Sequence, residues 1–531
     1  LLNRFDKPFE VPPFDKIRDA HYLPAFREGI RQQQEEIDAI TSDKATPTFA
    51  NTIEALEKSG QLLAQVNFIF MNQQAANTSD SINAIAEEIA PELSAHNDAI
   101  YLNDKLFERV KTVYDNRANE NLDTEQQMVL QQYYNAFIRG GANLSPEDKE
   151  KLKKINSELA VLSLKFGDNQ LKETNAYRLV IDNKKDLSGL PEGVVSAAAE
   201  TAREAGLEGK WVFTLHNPSI IPFLQYADNR ALREQIYKAY INRGSNQNAN
   251  NNWENISKMI SLRVEKAKLL GYPDYASYVI DDNMAKTPEN VYALCNQIWK
   301  AALPNAKAEA AELQKFINRS GGKFKLAPWD WRYYSEKLKK QKFGLDETEI
   351  SQYFPLEKVR EGAFYVANKL YGVTFTQLHD IPVPHPDALA FEVKDADGSH
   401  IGILYADYFP RASKGSGAWM EAYRPQSKLL HSTPVITNVC NFTKPTGDTP
   451  SLLTFDEACT LFHEFGHALH VLLSECTYPR VSGTSVARDF VELPSQIMEN
   501  WAAEPEVLKV YARHWKTGEP MQQKLIDKLQ A

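Results

Sequence analysis

Histidine, glutamate and histidine stand at 463, 464 and 467 in the run His463-Glu464-Phe465-Gly466-His467. On an α-helix, residues four apart share a face, so both imidazoles can reach one ion. Glu464 lies about 100° round the helix from His463. That keeps it off the ion but close to a water the ion would hold, where a carboxylate can act as general base. With 11 histidines in 531 residues, a chance match to this spacing has odds on the order of one or two in a hundred.

A hydrolytic zinc site takes three protein ligands and keeps a position for water. A third histidine ten residues after His463 would complete one such pattern, but Leu473 stands there. The third ligand is therefore expected to be a carboxylate. Glu475, Asp489, Glu492, Glu499 and Glu504 are the candidates, with Glu475 disfavoured because it follows the first helix too closely. In 489–501, Glu492, Gln496 and Glu499 share a face at helical spacing while apolar residues fill the others. Pro494 puts Glu492 at or before the first turn of that helix. His470 faces the same side as the histidine pair. A fourth ligand would close the open position, so His470 is expected beside the ligands rather than on the ion. Asp489 and Glu499 are the further carboxylates expected to support the ligand set.

These residues need a helix, and the sequence supplies one. Thr454 and Glu457 form a capping box, Asp456 adds negative charge to the first turn, and Ala458, Leu461, Phe462, Phe465, Ala468, Leu469, Leu472 and Leu473 make the segment strongly apolar. Most of the remaining chain also reads as helix. Asn51 caps a run through Ile53, Leu56, Leu62, Leu63, Val66 and Ile69. Ser145-Pro146-Glu147-Asp148 opens another helix, extending to about Asn175, with Leu152, Ile155, Leu159, Leu162 and Phe166 as its inner face. Strand signals are few. Segments 389–393 and 401–405 flank an Asp-Gly turn and read as a hairpin, and 434–442 is β-rich. These lie just before the histidine motif, so a small sheet beside the site is expected. Segment 215–224 contains prolines and reads as loop, 245–252 as an exposed polar loop or helix start, and 411–417 as a flexible loop without a phosphate-binding pattern. No repeat of fixed period is present.

A formal net charge of −10 argues against nucleic acid or an anionic membrane as partner. No apolar run approaches the ~20 residues that span a bilayer. Cys295, Cys440, Cys459 and Cys476 are too few and too scattered for a disulfide framework or a zinc ribbon.

The run Phe462-His463-Glu464-Phe465-Gly466-His467-Ala468-Leu469-His470 resembles the signature of the thimet oligopeptidase–neurolysin family of zinc peptidases, which are gluzincins. Segments 262–278, 328–337, 417–420, 426–430, 439–445 and 489–496 carry the same resemblance. The wording GAWM, SKLL, NFTKP and DFVELPSQ is most like the bacterial peptidyl-dipeptidase branch, with oligopeptidase A next. The resemblance implies a mainly α, two-lobed helical fold around a deep channel with a small β region beside the site. It implies one Zn2+ per chain on His463, His467 and Glu492, with Glu464 as catalytic base. It further implies short unfolded peptides as substrates, a monomer, and a cytoplasmic or periplasmic bacterial protein; beginning at Leu1, the sequence does not decide the compartment. Residues 1–345 are expected to form a helical channel-wall region and 346–531 the zinc-binding region. The activity implied is release of C-terminal dipeptides, the alternatives being cleavage within short peptides, or metal and peptide binding with little turnover. The last alternative follows from one departure. Only 39 residues follow Glu492, without the Gly/Tyr-rich loop and histidine that the family uses at the transition state. The zinc-binding region is therefore expected to be incomplete at its C-terminal end, with Leu525, Ile526 and Leu529 of the last stretch uncovered.

Overall fold

A computed structural model describes residues 1–530. Helix takes 60% of the chain and strand 8%, so the mainly α expectation holds. Among the described residues there are two sheets: a ribbon of β1 (Leu179–Ile181) and β2 (Trp211–Phe213), and a five-stranded sheet of β3 (Thr374–Leu378), β4 (Leu389–Lys394), β5 (His400–Asp407), β6 (Trp419–Arg424) and β7 (Val435–Val439). The order in the larger sheet is β3-β4-β5-β7-β6; only the β5–β7 pair is parallel.

The expected hairpin is β4–β5, closed by a turn in which Gly398 takes φ +85°, a conformation that favours glycine. Both faces of its centre are covered. Ile403 and Tyr405 of β5, with Val435 of β7 and Tyr423 of β6, pack on Tyr22, Phe26, Val66 and Phe70 of the N-terminal helices. Leu404, Ala406 and Ile436 pack instead with Phe462, Phe465 and Leu469 from the helix that carries the histidine motif. Period-two alternation thus feeds two separate cores, which is why β7 is buried along its whole length.

The motif helix runs Phe455–Leu472 and begins as its sequence dictates. The Thr454 hydroxyl accepts from the Glu457 N–H at 3.1 Å, and the Glu457 carboxylate accepts from the Thr454 N–H at 2.9 Å. Glu347 adds a second acid at this end, accepting from the Phe455 N–H at 2.9 Å. Both carboxylates meet the positive end of the helix dipole.

Several expectations are corrected. The run after residue 51 is not one helix: Thr48 is the cap, with Asn51 as its box partner, and a left-handed Gly60 (φ +70°) separates Ala55–Lys58 from Gln61–Ala76. The long Pro146–Ala176 helix starts at its Ser145 cap as expected, but Phe166 is 37% exposed and does not belong to its inner face. Segment 215–224 is largely helix (Asn217–Tyr226), because Pro218 sits where the first turn needs no N–H donor. Segment 245–252, by contrast, is the polar loop expected: residues 246–249 are exposed and it leads into the Trp253–Leu269 helix, while the buried Glu173 carboxylate holds it by accepting from the Gly244 N–H and the amides of Asn246 and Asn248. The last helix, Gln523–Gln530, seals Ile526 into the core and packs Leu525 and Leu529 against it, so the expected uncovered stripe is not found there.

The 411–417 loop is likewise anchored. Lys414 is fully buried, donating to Asp407 Oδ1 at 2.9 Å and to the Asp407 and Phe409 carbonyls at 3.0 and 2.8 Å, while Arg411 bridges the same carboxylate. Asp407→Ala would strand a buried ammonium, a change that typically costs about 3–5 kcal/mol. A clear fall in the denaturation midpoint followed by tryptophan fluorescence is expected, and an unshifted midpoint would contradict this account of the loop.

Candidate metal centre

The helix Glu492–Ala502 crosses the motif helix at closest approach beside Gly466. A Cβ built on Gly466 would lie 2.7 Å from Ser495 Cα and 3.0 Å from the Pro494 carbonyl oxygen. Only glycine lets the two backbones come this close. The approach brings Glu492, the first residue of its helix, against the histidine pair. Glu492 Oε2 lies 3.2 Å from His463 Nε2 and 3.1 Å from His467 Nε2. Ligand atoms from His463, His467 and Glu492 all fall within 4.8 Å of one another, the only such His/Cys/Asp/Glu group among the described residues.

The supporting contacts are specific. His463 Nδ1 faces Glu499 Oε1 at 2.6 Å, so this N–H donates to the carboxylate and leaves Nε2 as a bare lone pair aimed at Glu492. The Ser495 hydroxyl donates to Glu492 Oε2 at 2.9 Å. Asn438, inward-facing on β7, donates its amide to the Glu464 carbonyl at 2.8 Å and pins the motif helix to the sheet. Burial lowers the His467 pKa and favours the neutral, ligating form. Burial acts to raise the Glu492 carboxyl, but the Ser495 hydroxyl and the two imidazoles bring it below the usual range. Burial also pushes Glu464 up to about 7, and its Oε2 is enclosed without a partner.

These residues fit a metal ion. An imidazole lone pair set against a carboxylate oxygen repels it, and a cation between them turns repulsion into coordination. The orphaned Glu464 oxygen, buried beside the set, marks a polar group that needs a partner such as water.

Of the other residues singled out in the sequence, Glu499 is in place. His470 lines a cleft of about 500 Å³ between the two helices, together with Leu473, Leu493 and Ile497. Glu475 pairs with Lys428 at the surface. Asp489 is a correction: its carboxylate turns away from the histidines and accepts from the N–H groups of Met284 and Ala285, at 2.9 Å each. Asn438 and Ser495 were not anticipated. An asparagine inside a buried strand was the signal for the first, and the Pro-Ser start of the acidic helix for the second.

Residues 223–531 match the family model described as peptidase family M3. The chain belongs to this family. It is an M3 metallopeptidase, in agreement with the resemblance read from the motif. This M3 chain is 41% identical over 523 residues to the dipeptidyl carboxypeptidase of Escherichia coli (strain K12), covering 98% of this chain and 77% of that one. It is 34% identical over 539 residues to oligopeptidase A of the same organism, covering 100% and 79%. Among solved structures, a chain provisionally assigned as oligoendopeptidase F aligns with a TM-score of 0.53 at 14% identity, over 94% of this chain and 71% of that one, a likeness of fold alone. No described helix of the M3 chain is long and apolar enough to cross a membrane.

Gly466→Ala should push the two helices apart. Overpacking of this kind costs about 1–3 kcal/mol, and affinity for an added divalent metal ion, measured by chelator competition, should fall with it, whereas wild-type affinity in the variant would show that the close approach is not needed. Glu499→Gln should weaken the affinity for an added divalent metal ion about 10–100-fold, the usual loss when the carboxylate partner of a metal-ligating histidine is removed; unchanged affinity would show that the His463–Glu499 contact does not support a metal site.

Proposed function

We propose that this M3 peptidase binds one zinc ion through His463, His467 and Glu492 and hydrolyses short peptides, releasing C-terminal dipeptides. The observation that carries the metal and its chemistry is the convergence of two imidazoles and one carboxylate oxygen within ligand reach, beside a buried carboxylate that contributes no ligand. Residues 346–531 are proposed as the metal-bearing region, fed by the sheet and both site helices.

Zinc, when bound, supplies a Lewis acid that polarises the scissile carbonyl and acidifies water. The remaining work belongs to the chain. Glu464 takes a proton from the attacking water and returns it to the departing amine. Its raised pKa suits both halves of that task, since a base that binds protons near neutrality also releases them there. Glu499 keeps His463 in the tautomer that presents Nε2. Ser495 fixes the Glu492 carboxylate, and Asn438 holds the backbone at Glu464 so that the base does not swing.

The dipeptide-releasing mode is supported by the higher identity to dipeptidyl carboxypeptidases, 41%, against 34% for oligopeptidase A. Cleavage within short peptides is the second reading, supported by the latter match over the whole chain. The two separate cleanly, because dipeptide release requires a free terminal carboxylate.

Mass spectrometry of the products from one short peptide, free and C-terminally amidated, with zinc present, should show dipeptides from the free form and little cleavage of the amide; equal cleavage of both would favour the second reading. Glu464→Gln should keep zinc and lose roughly 10²–10⁴-fold in kcat, and a variant turning over at near-normal rates would remove Glu464 from the mechanism. Glu492→Ala should sharply reduce zinc content measured by elemental analysis; tight binding without that side chain would overturn the ligand assignment.

A further inference from the structure

The apolar surface that the last helix does not leave open is found elsewhere, on the Pro288–Arg319 helix. This helix is held at its two ends. At its start the Thr287 hydroxyl accepts from the Asn290 N–H at 3.3 Å, and the turn before it is tied through Met284 and Ala285 to Asp489. Near its far end lie Leu313 and Ile317, the two residues of the helix that are buried. There Phe316 meets Tyr334 of the Pro328–Phe343 helix with ring centroids 6.1 Å apart, and Lys342 donates to Glu312 at 2.6 Å. Between these anchors the helix stands free. Every residue from 292 to 309 except Leu303 is exposed, a stretch of roughly 27 Å.

The sequence of that stretch is not that of a surface helix. Its charges are Lys300, Lys307 and Glu309 alone, and Tyr292, Leu294, Ile298 and Trp299 are 67%, 60%, 58% and 63% exposed. A surface helix confines its apolar residues to one stripe, and a helix that is apolar on several sides is an interior element. Tyr292 and Trp299, seven apart, share one face, and Leu294 and Ile298, four apart, share another about 130° away. A second copy of the chain meeting the helix along one face would cover one pair and leave the other in water. The helix therefore fits the middle of a helical layer, with neighbours on two sides. Relatives carry material for such a layer. The alignment with oligopeptidase A takes in 100% of this chain, and so this helix, but 79% of that protein; dipeptidyl carboxypeptidase likewise extends beyond the 77% that aligns.

We propose that residues 292–309 are the seat of a further helical segment of M3 type, corresponding to the roughly one-fifth to one-quarter of those relatives that this chain does not span, and that the segment packs on both apolar faces of the helix. The surface suits it. Few charges must be desolvated, and Ala293, Ala301, Ala302, Ala306 and Ala308, set among the larger side chains, let neighbouring helices approach closely. The inference rests on membership of the M3 family and not on the peptidase reading, and its readouts involve no turnover.

The test compares the 531-residue chain with two chimeras. In one it is joined to the residues of Escherichia coli dipeptidyl carboxypeptidase that lie outside the aligned stretch, in their native order; in the other, to the corresponding residues of oligopeptidase A. Amide hydrogen exchange along 292–309 should be fast in the chain alone and slower by about tenfold or more in a chimera. The motif helix, protected in every protein, serves as the internal reference for a folded molecule. Two double variants then address the two faces: Tyr292→Lys with Trp299→Lys, and Leu294→Lys with Ile298→Lys. In the chain alone these side chains lie in water, so both variants should melt near the wild-type midpoint. In the chimera each should return 292–309 to fast exchange. Fast exchange in both chimeras while the motif helix stays protected would overturn the proposal. So would a chimera in which one face can be substituted without effect, since the seat would then be one-sided. Protection of 292–309 in the chain alone, with a dimer in light scattering, would overturn it in favour of a second copy.

Discussion

The contact between Gly466 and Ser495 is the constraint on which the site depends. Two helices can place ligands on one ion only if their axes come near enough for short side chains to meet. Here the missing Cβ of Gly466 sets that distance, with Ser495 Cα directly opposite. The unspecified position before the second histidine of the motif is therefore not free in this chain. The same contact lets Ser495 reach Glu492, and it places Glu499 one helical period further along, against the far nitrogen of His463.

That arrangement is rigid because three layers hold it. The sheet pins the motif helix through Asn438 and through the apolar face of β5 and β7. The helix is capped at its start by its own box and by Glu347. After its end, Gln426 receives the Cys476 N–H, and Tyr478 packs among the N-terminal helices. Preorganisation of this kind reduces what metal binding must spend on ordering its ligands.

Much of this was legible in the sequence, for identifiable reasons. The motif helix announced itself through a capping box and a dense apolar run, and the β4–β5 hairpin through an Asp-Gly turn, since both signals are local. Glu492 was one of several acids until the shared face and the family resemblance singled it out. Misreadings came where distant contacts decide. Lys414 looked mobile because its neighbours are Gly and Ser, but a buried aspartate seven residues earlier overrides that composition. The acceptor role of Asp489 toward Met284 could not be read at all, because no local pattern links residues two hundred positions apart. The strands β3 and β6 went unnoticed since their periodicity is interrupted by charged and exposed positions.

The two-faced sheet carries a further consequence for how the chain can be divided. Ile403, Tyr405, Tyr423 and Val435 share their core with residues of the first ninety positions, among them Phe14, Tyr22, Phe26, Val66 and Phe70. Expressed alone, residues 346–531, the part proposed to bear the metal, would turn this face to solvent, and its strands would offer an apolar template for association. Limited proteolysis between the halves should therefore yield pieces that stay together, and gene fission or domain grafting at that boundary would produce an insoluble half rather than a smaller enzyme.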